Sequence, residues 1–280
     1  MHTITQLDKL VNVDINPELM DQLKEYRRML EQQKYKELFI ATKMGIVEGV
    51  AISWLNHFHP TAKYIKFFTV EPIQMLLEAV LQSMGEQNKI MFSCWEDEHE
   101  KIKMAEKVGF QLFRQTYIET FPIAMLLAKL ESIQAVSKVK SLAQVLQNQR
   151  EAFLTELKRN YEETHLHNPA QNFSWQEWEE FLFDDEVDTA LSSVLMEDEQ
   201  ITGYIMLHPV TVTHYEIGWI GQREQEHIQA LFKQQLLALQ KKGIQTVEIE
   251  VDTTDWHAMK LFSFLDLRAI KSWNSYLLLK

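Results

Sequence analysis

The stretch HYEIGWIGQREQEHIQALFKQQLLAL, His214 to Leu239, decides the fold. Its first eight residues are rich in aromatic and β-branched side chains and predict a strand. From Ile228 onward Leu231, Phe232, Leu236 and Leu239 recur at spacings of three and four, which predicts one buried helix face. Between them lies the short turn QREQE. A strand that turns directly into a helix leaves the first helical N–H groups unpaired and facing outward, a ready site for an anion. Glycines in such a turn let the backbone approach a phosphate, but here Glu226 and Ile228 occupy those positions. A carboxylate about 4–6 Å from a phosphate group repels it by ~1–4 kcal/mol at effective dielectrics of 20 to 80. Glu224 and Glu226 also suit the positive end of a helix, whether or not a ligand binds. Strand alternation places Tyr215, Ile217 and Trp219 on one face and His214, Glu216 and Gly218 on the other. Gly218 and Gly221 suit a bulge or a close approach to the strand.

Working outward, the same order of elements occurs twice. In the first half Pro17 to Gln33 predicts an amphipathic helix, with Asn16 as N-cap and Pro17 at the first helical position. KELFIATKMGIVEGVAISWL predicts two strands turning near Met44 and Gly45, and AKYIKFFTV a third that runs straight into the helix PIQMLLEAVLQSM. KIMFSCW predicts a strand, EHEKIKMAEKV a helix and QLFRQTYIETF the closing strands. In the second half Val145 to Glu163 predicts a long helix. SWQEWEEFLF predicts a short one, with Ser174 and Glu177 at the spacing of a capping box. A hairpin turning near Asp198 precedes the opening stretch; the strand TVEIEVD, the helix DWHAMKLFSFL and the segment RAIKSWNSYLLLK follow it. EHEKIKMAEKVGF (Glu98 to Phe110) lines up with DWHAMKLFSFLDL (Asp255 to Leu267), and VEGVAI (Val47 to Ile52) with ITGYIM (Ile201 to Met206). This internal duplication predicts two α/β domains, 1–122 and 139–280, joined by residues 123–138, a segment too apolar to be a free tether.

Composition sets the outer limits. A net charge of -12 argues against a nucleic-acid partner, which needs a basic face. The one cysteine, Cys94, excludes an internal disulfide, and its apolar neighbours predict a buried side chain. No basic segment leads into an apolar core at the N-terminus, and no apolar run reaches about twenty residues. The expectation is a cytoplasmic protein with no membrane partner. The His-x-His pairs at His57 and His59, and at His165 and His167, lack a nearby third ligand and predict no metal site.

The order of elements resembles the GNAT superfamily, the acyl-CoA-dependent N-acyltransferases. The local match is VEIEVDTTDWHAMKLFSFLDLRAIKSWNSYLLLK, similar to that family's closing strand, Asn-x-x-Ala-x-x-Leu-Tyr-x-x-x-Gly-Phe helix and last strand. The aligned residues are Asp255, Ala258, Leu261, Phe262, Asp266 and Leu267; the first half keeps Gly109-Phe110. The resemblance implies two tandem domains, each a mostly antiparallel sheet split into a V and flanked by helices. It also implies that acetyl-CoA or CoA lies in the V, along Trp219, Ile220 and Gly221, with its pyrophosphate on Arg223, Glu224, Gln225, Glu226, His227 and Ile228. Asp255 and Phe262 would border the same cofactor.

The family often protonates the leaving thiolate with a tyrosine. Phe262 stands at that position, and Ala105 in the first half, and neither side chain donates a proton. Glu216 is the candidate base and Tyr215 the substitute acid, with His214 and His257 nearby. The compact passage AKYIKFFTVEPIQMLL leaves no room for a pyrophosphate loop in the first half, so the second half is the expected ligand-binding unit. Two functions follow. One is N-acyl transfer to a small-molecule or peptide amine. The other is a non-catalytic protein of the same fold that binds a partner or a small ligand. In both, the two halves are able to pair as an intramolecular pseudo-dimer.

Overall fold

The computed structural model describes residues 1–85, 89–134, 136–183, 187–223 and 227–279. The chain opens with β1 (Thr3–Leu7), β2 (Asp14–Ile15), α1 (Pro17–Leu23) and α2 (Arg27–Glu31). It continues through β3 (Glu37–Lys43), β4 (Ile46–Leu55), β5 (Lys63–Thr69), α3 (Gln74–Ser83), β6 (Lys89–Trp95), α4 (His99–Lys107) and β7 (Gln111–Pro122). Next come α5 (Ile123–Lys129), β8 (Val139–Ser141), α6 (Leu142–Thr164), α7 (Trp175–Phe183), β9 (Ser193–Glu197) and β10 (Gln200–Thr211). The last elements are β11 (His214–Gln222), α8 (Ile228–Lys241), β12 (Thr246–Asp252), α9 (Trp256–Leu261) and β13 (Ser272–Leu279).

Local signals act as the sequence implies. Asn16 caps α1 by accepting from the Glu18 N–H at 3.0 Å. Ser174 and Glu177 complete a capping box, each side chain bonded to the other's backbone N–H. The hairpin turns at Met44-Gly45 and Asp198-Glu199 have positive φ at both residues, the geometry that matches strand twist.

The chain forms two compact units, and neither is a continuous half of the sequence. The first comprises residues 1–114, 168–171 and 273–280; the second comprises 115–167 and 172–272. These are not the expected divisions 1–122 and 139–280. The difference lies in strand pairing. From Trp273 onward β13 runs antiparallel to β6, with Trp273 opposite Trp95 and Leu279 opposite Lys89. Tyr276 and Leu278 enter the first unit's core, and the Ser93 and Ser275 hydroxyls meet at 3.0 Å. Residues 116–122 of β7 pair antiparallel with β12 and bury Tyr117 in the second unit's core. Residues 123–138 are no free tether either: α5 buries Ile123 and Leu126 in that core.

In the first unit β1, β3, β4, β5 and β6 are neighbours in that order, antiparallel except for the parallel pair β5–β6. One apolar cluster joins Phe67 and Phe92 to α3 and α4, and a second joins Ile52 and Phe68 to Leu19 and Leu23 of α1. In the second unit β8, β9, β10, β11 and β12 are neighbours, antiparallel except for the parallel pair β11–β12. Its main core sets Ile217, Ile220, Val247 and Ile249 against Leu231, Phe232 and Leu236 of α8. No helix among the described residues is long and apolar enough to cross a membrane.

In both units the parallel pair opens into a fork. β11 and β12 are paired from His214–Thr246 to Ile217–Ile249, yet both strands run on, to Gln222 and Asp252. β5 and β6 are paired from Lys63–Ile90 to Ile65–Phe92 and run on to Thr69 and Trp95.

Candidate functional site

A cavity of about 230 Å³ lies at the fork of the second unit. α6 contributes Asn160 and Tyr161 to its wall, His165 follows the end of α6, β11 contributes Glu216 to Ile220, β12 contributes Glu250 and Asp252, and Asp255 precedes α9. Strand alternation explains the carboxylates. Val247, Ile249 and Val251 are fully buried in the core, so Glu250 and Asp252 face the other way, on the side of α6.

Within β11 the alternation is broken. β10 sets Ile205 opposite Ile220 but Leu207 opposite Ile217, so β11 carries one more residue than its partner across this step. This bulge at Gly218-Trp219 corrects the expectation that Trp219 shares a face with Tyr215 and Ile217. Trp219 lies on the α6 side, with its ring centroid 5.1 Å from Tyr161 and 5.3 Å from Phe181. Ile220 returns to the core. The glycines also have an internal cause. A Cβ at Gly218 would overlap the His208 ring, and one at Gly221 would overlap the Asn160 amide and the Tyr204 ring. The close approach at both is made by the protein's own side chains.

Among the described residues, the expected site residues Tyr215, Gly221, Arg223, His227, Ile228 and Phe262 are not on the cavity wall. Tyr215 packs in the core and its hydroxyl donates to Asp188 Oδ2 at 2.9 Å. Phe262 is fully buried against Phe232 of α8, at 5.5 Å between centroids. Ile228 points into the core beside Gly203. Glu216, by contrast, lines the cavity.

The turn after β11 is tied to α6. Arg223 Nη2 donates to Glu156, and the Arg223 N–H donates to the Thr202 carbonyl at 2.8 Å. Arg159 bonds the same Glu156 and, through Nη1, Glu163 at 2.8 Å. Burial opposes the Glu156 charge, but the hydrogen bonds from Arg223 and Arg159 hold its carboxyl below the usual range. Glu224, Gln225 and Glu226 lie outside the described residues. His227 follows as the N-cap of α8, half exposed, with Nε2 3.9 Å from Glu197.

Asp255 caps α9, accepting from the N–H groups of His257 at 2.9 Å and Ala258 at 3.1 Å. Burial pushes its carboxyl up to about 6. His257 is fully buried; its Nδ1 accepts the Gln222 N–H at 3.2 Å, which leaves the ring proton on Nε2. Burial, with Arg159 adding repulsion, pushes its pKa down to about 4. Sequence reading missed Asn160, Tyr161, His165, Glu250 and Asp252. The alternation of EIEVD was the available signal for the two acids, since Glu250 and Asp252 share a parity with Glu248, directly opposite Glu216.

The fork of the first unit holds the larger cavity, about 620 Å³. Lys66 stands just past its last paired residue. Its ammonium donates to the Ser93 carbonyl on β6 at 3.1 Å and lies 4.2 Å from the Trp273 ring centroid. Lys66 thus bridges the strands where the fork opens. Burial brings its pKa down to about 8. Cys94 is buried, and its thiol is pushed up to about 12 by burial.

No family model matches the sequence, and no curated protein matches it. Solved structures do. A GCN5-related N-acetyltransferase from Sphaerobacter thermophilus superposes with a TM-score of 0.57 at 12% identity, over 90% of this chain and 85% of that one. A probable N-acyltransferase from Enterococcus faecalis V583 gives 0.53 at 11% identity, over 100% and 72%. A tandem GNAT protein from the clavulanic acid biosynthesis pathway gives 0.52 at 9% identity, over 100% and 98%. At these identities the likeness concerns the fold, and it joins the forked parallel pair in each unit. The chain has the fold of the GNAT superfamily, carried as two GNAT-like domains.

Proposed function

We propose that the second unit is an N-acyltransferase that moves an acyl group, acetyl in the first instance, from CoA to an amine. The observation that carries this reading is the fork of β11 and β12. Past Ile217 and Ile249 the facing strand edges are no longer bonded to each other. Backbone there is available to the amide groups of a pantetheine arm, and the start of α8 lies beyond β11 for the phosphates. Acyl-CoA fits this arrangement in its extended part. At the pyrophosphate end the fit rests on the N–H groups of α8, since Arg223 is engaged by Glu156.

When bound, acyl-CoA supplies an activated thioester. Glu216, on the cavity wall, takes the proton that the amine must lose before its lone pair attacks the carbonyl carbon. The new C–N bond would form as the C–S bond breaks, and the second proton lost by the nitrogen would pass through water to the thiolate, since Phe262 is buried and has none to give. Asn160 and Tyr204 fix the strand at Gly221 through packing, and Asn160 Nδ2 donates to the Tyr204 hydroxyl at 3.2 Å.

The Arg223–Glu156 pair and the burial of Phe262 favour a second reading, a fold retained for binding without turnover. One experiment separates the two. Acetyl-CoA is titrated into the full chain by calorimetry, and thiol release is then followed over a panel of amines. Transfer predicts binding, turnover and a Glu216→Gln variant with lowered kcat and an unchanged KM for acetyl-CoA. Absence of binding by both acetyl-CoA and CoA would leave the second reading.

A further inference from the structure

We infer that the cavity of the first unit is a carbonyl-binding site, in which the Lys66 amine forms a Schiff base with an uncharged aldehyde that carries an apolar tail. This chemistry is separate from acyl transfer in the second unit. Lys66 lines the cavity of about 620 Å³ and is itself buried. Its ammonium donates to the Ser93 carbonyl at 3.1 Å, and among the described residues no carboxylate pairs with it. Glu98, on the same wall, is bonded instead to Lys101 and to the Trp95 N–H. A buried ammonium without an acid beside it costs stability, and an apolar side chain would fill the same space at lower cost. The amine is therefore kept for its chemistry.

Desolvation is what makes a lysine nucleophilic. Glu98 and Glu25 favour the charged form of Lys66 and Lys101 opposes it, but burial outweighs them. With the pKa brought down to about 8, about a tenth of the chains carry a neutral amine at pH 7, against roughly one in three thousand for an ordinary lysine. The amine nitrogen is also held in place, 4.2 Å from the Trp273 ring centroid and 5.6 Å from that of Tyr26. Trp95 packs edge-to-face on Trp273 at 5.1 Å, and Phe68 and Met104 continue the wall. These faces cover an apolar tail and attract the positive charge of a protonated Schiff base. In the reaction the lysine lone pair attacks the carbonyl carbon and forms the C–N bond. The carbonyl oxygen takes the electron pair of the broken C=O bond and one proton from the nitrogen. The C–O bond then breaks, and the second nitrogen proton leaves with that oxygen as water. Imine and water are the products, and no oxidant or reductant is required.

The test treats the full chain at pH 7 with hexanal or acetaldehyde in the presence of cyanoborohydride, which reduces each imine to a stable secondary amine. Peptide mass spectrometry then gives the labelling rate at each lysine. Lys66 is expected to take hexanal at least tenfold faster than the exposed Lys9 and Lys34, and to saturate with hexanal concentration while those two respond linearly. Acetaldehyde, which lacks the tail, is expected to lose most of that preference. Lys66→Arg keeps the charge and removes the condensing amine; the saturable labelling should vanish, with Lys9 and Lys34 labelled as before. Labelling at Lys66 no faster than at the exposed lysines, or rising linearly with hexanal, would overturn the inference. An equal preference for both aldehydes would overturn the apolar tail. None of these outcomes depends on thiol release by the second unit, so the transferase reading stands or falls separately.

Discussion

The Lys66 ammonium donates to the Ser93 carbonyl at 3.1 Å, tying β5 to β6 just where these strands part. Lys66 is 7% exposed, and its charge rests on this carbonyl and on the Trp273 ring. Its pKa near 8 lies below that of the unfolded chain, so between about 8 and the ordinary value of 10.5 the unfolded state alone holds the proton. Stability therefore rises with pH through that window, and the penalty is fully present below it.

Lys66→Met is expected to stabilise the first unit at pH 7 and to remove the alkaline rise. The gain is at most about 3 kcal/mol, the cost of keeping a proton on a group that releases it near 8 in place of 10.5. Denaturant midpoints at pH 7 and pH 10 measure it. A variant less stable than the parent at pH 7, with the alkaline rise intact, would contradict this account of Lys66.

Asp255 and His257 pull in opposite directions with pH. The folded Asp255 titrates near 6 and the unfolded near 3.8, so its contribution to stability falls as pH rises through that range. The folded His257 titrates near 4 and the unfolded near 6.5, so its contribution rises with pH over nearly the same range. The parent is expected to show little net slope from these two between pH 4 and 6. Asp255→Asn keeps the helix cap and should leave stability rising with pH; His257→Gln should leave it falling. Each slope amounts to at most about 3 kcal/mol across the window. Thermal melts at half-unit pH intervals show the two trends.

Gly221→Ala is expected to destabilise the second unit by about 1–3 kcal/mol through overpacking, since its Cβ collides with Asn160 and Tyr204. Gly203→Ala is the control: its Cβ meets nothing nearer than the Gly221 carbonyl at 3.5 Å. Urea midpoints for both variants provide the comparison.

A chain ending at Ser272 should damage the first unit. It loses the strand that pairs with β6 and removes Tyr276 and Leu278 from that core. Cys94, buried opposite Asn274, reports on this. Its thiol is expected to react rapidly with a labelling reagent in the shortened chain and slowly in the full one. Equal protection in both would show that β13 is not needed there.

What the sequence discloses and what it hides follow from range. Local chemistry is legible: the cap at Asn16, the capping box at Ser174, the hairpin near Asp198, and the strand–turn–helix from His214 to Leu239. Each depends on residues a few positions apart. The partner of the last strand is not legible, because alternation in SWNSYLLL marks two faces and says nothing of which edge it joins. The bulge at Gly218 was signalled by a glycine, but its effect on Trp219 depends on the register with β10. The ion pair of Arg223 is not legible either, because Glu156, its partner, lies 67 residues earlier. Burial at Lys66 is equally a product of the assembled first unit, where Trp273 comes from the far end of the chain.

The central claim, that the fork of the second unit receives acyl-CoA, is tested most directly by hydrogen exchange on the full chain with and without saturating acetyl-CoA. The account predicts slowed exchange in peptides covering Gly218 to Arg223 and the first turn of α8, with β5 and α3 unchanged. Protection confined to β5 and α3, or no protection anywhere, would contradict it.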